Sequence, residues 1–159
     1  SDTETVVECI AEWGLKKTLD KLEGMFSIAL WNIQKKELSL ARDPFGIKPL
    51  YYCQIDNHLL ISSEIKGLIP FIEKIEPNQQ MIWDYLDMGF SEHNSETFFN
   101  GIKKLAPGHF MTYTMDGKLK IQPYWNLEDS IKITNKNEIK ETQIMISRGL
   151  FADKKSNKG

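Results

Sequence analysis

The chain reads as an α+β layered domain in which antiparallel hairpins are flanked by helices. Three observations point there. Two pairs of short apolar runs close on turn pairs suited to hairpins, Asp56-Asn57 and Asp116-Gly117. Apolar residues recur at helical spacing between cap signals at the start of the chain and again between Asn78 and Gly89. Between the two strand-rich stretches lies Arg42-Asp43-Pro44-Phe45-Gly46-Ile47-Lys48-Pro49-Leu50-Tyr51-Tyr52. Its prolines fix φ and restrict the residues before them, and its glycine admits a positive φ, so this connection has one shape.

In chain order, Ser1-Asp2-Thr3-Glu4 has the form of a capping box. Val6, Val7, Ile10, Ala11 and Trp13 follow at helical spacing, and Gly14 stops the helix. Asp2 stands at the positive end of that helix, where a carboxylate is favoured. Capping therefore explains it, and holding a ligand ammonium is the alternative; the same two readings apply to Glu64 in the helix start Ser62-Ser63-Glu64. Leu15, Leu19 and Leu22 suggest a second short helix closed by Gly24. Met25 to Trp31 is apolar at nearly every residue, which predicts a strand covered on both faces. Asn32 to Lys36 is a polar turn, and Glu37 to Arg42 alternates with Leu38 and Leu40 on one face.

The next hairpin joins Tyr51–Ile55 to His58–Ser62. Its two-residue loop sets Ile55 opposite His58, Cys53 opposite Leu60 and Tyr51 opposite Ser62. Cys53 then sits in a mixed cross-strand row as an inert, half-buried thiol. A helix is expected from Glu64 through Ile65, Leu68 and Ile69 until Pro70 ends it. A clearer one is capped by Asn78, carries Met81, Ile82, Tyr85 and Leu86 on one face, and stops at Gly89. Residues 91–100 read as loop and Pro107-Gly108 as a turn. The hairpin around Asp116-Gly117 places Phe110, Thr112 and Thr114 on one face with Leu119 and Ile121. A further helix is expected over 137–150, and residues 151–159 are polar, lysine-rich and frayed.

Composition narrows the functional classes. With 159 residues, 41% hydrophobic and 26% charged, the chain suits one soluble domain. A net charge of −2 gives no footprint for nucleic acid or an anionic membrane, and Lys16-Lys17 and Lys103-Lys104 read as solvated faces. No apolar run reaches membrane-spanning length and no signal-peptide pattern opens the chain. Cys9 and Cys53 are far apart, which fits reduced thiols and a cytoplasmic location. His58, His93 and His109 lack metal-ligand spacing, and no glycine-rich phosphate loop or serine-hydrolase elbow occurs. The first residue is Ser1, already inside a helix-start pattern, so a piece of a larger protein is expected.

Taken together, several segments resemble the glutamine-hydrolysing asparagine synthetase family. These are Ser1-Asp2-Thr3-Glu4, Gly24-Met25-Phe26 through Ala29-Leu30-Trp31, Leu40 through Tyr52, Ser63-Glu64-Ile65-Lys66, Gly101 through His109, and Tyr124-Trp125. Their order and spacing hold over about residues 1–126. The resemblance implies the C-terminal half of a class II glutamine amidotransferase domain, an N-terminal-nucleophile hydrolase built as a four-layer αββα sandwich with antiparallel sheets. Residues 127–159 would then be a linker or helix toward an absent synthetase domain, with a divergent tail.

The implied chemistry is attack by an N-terminal cysteine on the amide of glutamine, release of ammonia, and ATP-dependent amidation of aspartate. Of the glutamine-binding residues only Asp2 carries over, as the group that holds the α-ammonium. The nucleophile, the carboxylate-gripping arginine and the Asn-Gly-Glu segment match nothing here, so this chain alone is expected to be inactive and to carry no catalytic residue. Arg42, Asp43, Gly46, Pro49 and Glu64 are implied to be structural family markers, with Arg42 and Asp43 bracing the fold. No cofactor is expected within this chain; ATP and magnesium belong to the full-length family enzyme. Glutamine and the synthetase domain are the implied partners, and a homodimer is allowed. An amidotransferase with another acceptor, such as a sugar or cell-surface precursor, and an inert degenerate domain acting as a binding module are the alternatives.

Overall fold

The computed structural model describes residues 1–130, with side chains through Glu128. The chain divides into two compact units, Ser1–Asn126 and Leu127–Gly159. Of the second unit, a short helix at Leu127–Ser130 is described. The helix expected over 137–150 and the lysine-rich end at 151–159 lie outside the described residues.

The first unit starts with helix α1 (Asp2–Trp13), whose capping box is formed as the sequence indicates: the Ser1 hydroxyl accepts from the Glu4 amide, and the Glu4 side chain accepts from the Ser1 backbone nitrogen. Gly14, at φ 83, separates it from α2 (Leu15–Leu19), where Thr18 and Leu19 are buried. Seven strands follow: β1 (Ser27–Asn32), β2 (Glu37–Arg42), β3 (Tyr51–Ile55), β4 (His58–Ser62), β5 (Lys103–Lys104), β6 (His109–Thr114) and β7 (Leu119–Pro123). They form two antiparallel sheets, ordered β1-β2-β6-β7 and β4-β3-β5.

Pairing register explains the layers. On β2, Leu38 and Leu40 point toward the second sheet and meet Met111, Leu105, Leu50 and Tyr52, with Leu59, Ile61 and Leu119 around them. The opposite face of the second sheet supplies Cys53, which packs with Leu68, Ile102 and Phe99. The connections after β4 and before β5 thus cover that face. Two sheets stacked face to face with helical layers outside is the α+β sandwich expected from the sequence.

Several local expectations need correction. The strand covered on both faces is β2, where Ser39, Leu40, Ala41 and Arg42 are all buried; β1 is an edge strand that alternates exposed and half-buried residues. An apolar run records hydrophobicity, whereas sheet order is set by contacts far away in the chain. Around Asp116-Gly117 the pairs are Tyr113 with Leu119 and Met111 with Ile121, one residue away from the expected register. The loop holds three residues, with the Gly117 amide donating to the Thr114 carbonyl at 2.9 Å and Gly117 at φ 79. That geometry is a turn followed by a left-handed glycine, which Asp-Gly supports as readily as a two-residue loop.

The expected helix after Ser62 is instead two short 3-10 turns, Ile65–Gly67 and Ile69–Phe71, with Pro70 inside the second. Helix α3 (Gln79–Met88) has the expected Asn78 cap and a left-handed Gly89, but only Met81 is buried while Tyr85 and Leu86 stay exposed. The hairpin β3–β4 has the expected register throughout. Lys104 is not on a solvated face: it is buried, with Nζ 2.9 Å from Glu92 and donating to the Ser91 carbonyl at 2.8 Å.

Candidate functional site

Asp2 lies in the first turn of α1, on the lining of a cleft of about 590 Å³ between that helix and β1. The helix contributes Val6, Val7 and Ile10; Leu22, Glu23 and Met25 close one end; Phe26, Ile28 and Leu30 form the floor. Amphipathic spacing on α1 and period-two alternation on β1 bring these apolar groups to one side. The result is an apolar trough with two carboxylates, Asp2 and Glu23, and no basic residue on its lining. A carboxylate at a helix start is favoured by the free amides there, and Asp2 can also pair with a cation. Its position in an apolar trough is the feature that helix capping alone does not explain.

A second cleft, about 430 Å³, is lined by Leu22, Glu23 and Met25 as well, and by Asp20, Pro44, Phe45, Ile47, Tyr124 and Trp125. The two clefts therefore share the wall between α2 and β1. Phe45 and Trp125 meet with ring centroids 5.3 Å apart.

The connection after β2 borders this second cleft and is held from within. Arg42 and Asp43 do not pair with each other. Arg42 instead donates to three carbonyls: Nε to Lys48 at 2.8 Å, Nη1 to Leu105 at 2.7 Å and Nη2 to Gly46 at 2.6 Å. Asp43, fully buried, accepts from the amides of Phe45 at 3.2 Å, Ile47 at 3.0 Å and Lys48 at 2.9 Å. Burial raises the pKa of this carboxyl, but the amides of Lys48, Ile47, Phe45 and Phe26 outweigh it and hold the value below 3.8.

Gly46 takes φ 64, and a Cβ there would stand 2.8 Å from Pro107 Cγ and 3.1 Å from Arg42 Cζ. Pro49 is half-buried at the exit of the loop. The Tyr124 hydroxyl donates to the Arg42 carbonyl at 2.8 Å, and the Tyr124 and Trp125 amides both donate to Gly108. Burial, with the Asp43 and Asp20 charges, pushes the Tyr124 phenol far above its usual range.

The remaining sequence candidates fall elsewhere. Glu64 is exposed and pairs with Lys66 at 2.5 Å, and it lines neither cleft. Cys53 is buried and its thiol is pushed up by burial, which fits an inert group. The structure thus separates Asp2, on the α1–β1 cleft, from the self-contained Arg42–Pro49 loop. The sequence offered no signal for Glu23 and Leu22 as cleft residues, since α2 and its exit are too short for periodicity to orient them. Among the described residues no group of His, Cys, Asp or Glu could hold a metal ion. No described helix is long and apolar enough to cross a membrane.

Residues 1–125 match the family model described as a glutamine amidotransferase domain. The chain is 32% identical over 159 residues to "Asparagine synthetase [glutamine-hydrolyzing] 3" of Bacillus subtilis, covering 96% of this chain and 26% of that protein. It is 35% identical over 128 residues to "Amidase chry2" of Gibberella zeae, covering 80% of this chain and 18% of that protein. The chain thus spans about a quarter or less of the length of these curated relatives. Among solved structures it resembles the glutamine phosphoribosylpyrophosphate amidotransferase of B. subtilis, with a TM-score of 0.52 and 18% identity over 79% of this chain and 23% of that one. That likeness establishes the same fold.

Proposed function

The chain belongs to the glutamine amidotransferase domain family, and from that membership we propose that it forms the part of a glutaminase domain that grips the α-ammonium of glutamine. Asp2 is the gripping residue. The observation that carries this is the placement of a helix-start carboxylate on the lining of an apolar cleft free of basic residues. A substrate ammonium supplies the missing positive charge, and the apolar walls accept the methylenes of the glutamine side chain. The nucleophilic cysteine, the carboxylate-binding arginine and the oxyanion donors come from a segment outside this chain, so the chain alone releases no ammonia from glutamine. In this reading any ATP and magnesium are held by the synthetase domain of the longer enzyme.

The favoured whole-protein reaction is ATP-dependent transfer of glutamine nitrogen to aspartate, supported by the asparagine synthetases among the relatives. Residues 1–126 act as the glutaminase portion and 127–159 as the lead toward a synthetase domain. A second reading, an amidotransferase with a different acceptor, is favoured by the fungal amidases at 35% and 32% identity.

The test uses the longer enzyme that carries this domain. Asp2→Asn removes the charge and keeps the shape, and a charged hydrogen bond is worth about 1.5–3 kcal/mol. KM for glutamine then rises about tenfold or more, while activity supported by free ammonia is unchanged. An unchanged KM assigns Asp2 to capping alone.

A further inference from the structure

We propose that Asn100 is a self-modification site, whose side-chain amide is lost in water through a cyclic imide formed with Gly101, leaving aspartate or isoaspartate. Two places in the chain set an asparagine or aspartate directly before a glycine: Asn100-Gly101 and Asp116-Gly117. A glycine has no Cβ to hinder its own nitrogen from reaching the preceding side-chain carbon. The other described asparagines, Asn32, Asn57, Asn78, Asn94 and Asn126, all precede residues with side chains.

The fold treats the two pairs differently. In the hairpin the Gly117 amide donates to the Thr114 carbonyl at 2.9 Å, so the attacking nitrogen is engaged. The Lys118 ammonium, 2.6 Å away, and the Thr114 hydroxyl hold the pKa of the Asp116 carboxyl down at about 2. An ionised carboxylate repels a nucleophile, so this pair is protected at both ends.

At Asn100-Gly101 that protection is missing. Both residues are exposed, in the turn between the Pro77–Phe99 bridge and β5. No described group accepts from the Gly101 amide. A Cβ at Gly101 would meet nothing within 4 Å, which leaves room for ring closure and for water. The Ile102 amide closes the turn on the Phe99 carbonyl at 3.3 Å, and Asn100 Nδ2 donates to the Pro77 carbonyl at 3.3 Å. Both bonds are longer than the usual range and yield readily.

Water is the one co-reactant the chemistry needs. The Gly101 nitrogen gives up its proton and bonds to the Asn100 side-chain carbon. The bond from that carbon to Nδ2 breaks, and ammonia leaves with the proton. Water then opens the ring: cleavage at the side-chain carbonyl gives aspartate, and cleavage at the backbone carbonyl gives isoaspartate. Either product loosens the approach to α3. Asn100 ties this turn to the preceding segment through its backbone amide, on the Glu76 carbonyl at 2.9 Å, and through Nδ2. Aspartate replaces the Nδ2 donor with a carboxylate facing a carbonyl. Isoaspartate lengthens the main chain next to Ile102, which is fully buried in the cluster of Cys53 and Leu68.

The test incubates the folded 159-residue chain without glutamine in mildly alkaline buffer, with peptide mapping that separates asparagine, aspartate and isoaspartate. Conversion at Asn100 is expected to run at least about tenfold faster than at any other described asparagine, with no isoaspartate at Asp116. Its rate is expected to rise about tenfold per pH unit, because the attacking nitrogen must first lose its proton. Asn100→Gln, which needs a larger ring, is expected to remove the modification. Should that variant not fold, the chain unfolded in urea serves as the reference, where isoaspartate is expected at both pairs. Conversion of Asn100 in urea but not in the folded chain would overturn the proposal by showing that the fold protects it. Conversion no faster than at the other asparagines, or equal isoaspartate at Asp116 in the folded chain, would overturn it too. None of these outcomes bears on Asp2, whose role is read from the glutamine KM in the longer enzyme.

Discussion

The Arg42–Pro49 loop and the α1–β1 side are built on opposite plans. In the loop both buried charges are satisfied by neighbouring groups of the domain: Arg42 serves three carbonyls, Asp43 serves three amides, and Tyr124 closes over the Arg42 carbonyl. Along α1 and β1 the helix is well capped but buries nothing, and the strand is half-exposed on an open edge. One region is packed and bonded by residues of this chain, whereas the other leaves its apolar groups partly open. Burial, more than local propensity, decides which side resists change, because most of the folding free energy comes from surface removed from water.

The comparison can be broken first at Asp43. Asp43→Ala leaves three partly buried amides without their acceptor, at about 1–3 kcal/mol for each unsatisfied group. A loss of at least about 3 kcal/mol is expected in urea unfolding of the chain, read as a shift in midpoint with little change in slope. Acid sharpens the same point. The folded-state pKa of Asp43 lies below its unfolded value of 3.8, so its stabilisation is complete above that pH and is lost as pH falls through the lower folded-state value. In Asp43→Ala that part of the acid sensitivity is expected to vanish when unfolding is followed from pH 5 downward.

A smaller effect is expected at Gly46. Its φ of 64 and the 2.8 Å approach to Pro107 make Gly46→Ala costly both in backbone and in contact, about 2 kcal/mol by thermal or urea melting. The smallest belongs to the other region. Val7 on α1 is exposed, and Val7→Ser is expected to change the stability of the chain by no more than about 0.5 kcal/mol. A loss as large as that at Asp43 would mean that the helix face is already packed.

Much of this contrast was legible in the residues. Ser1 with Glu4, Asn78 with Gly89, and the two-residue loop at Asp56-Asn57 are local signals, and the structure realises each one. The stiffness of the Arg42–Tyr52 segment was legible too, although the wiring of its charges was not, since the acceptors at Leu105 and the cover from Tyr124 come from distant sequence. Nonlocal order also defeated the reading of β1 as the covered strand in place of β2. Lys104 was read as part of a solvated face because a two-residue strand has no period and its partners Glu92 and Ser91 lie in a loop. At Asp116-Gly117 a single glycine satisfied two loop lengths, and the hairpin took the longer. For the site, Asp2 could be found from sequence only through its resemblance to a family, because at a helix start a ligand-binding carboxylate and a capping one look alike.

Native-state hydrogen exchange on the isolated chain separates the two regions most directly. Amides of β2 and those of Ile47 and Lys48, bonded to Asp43, are expected to exchange only through the largest openings. Amides of α1 beyond its cap and the outward amides of β1 are expected to exchange through small local openings, at least about a hundredfold faster. Equal protection across α1, β1, β2 and the loop would contradict the division, showing the α1–β1 side to be complete within this chain.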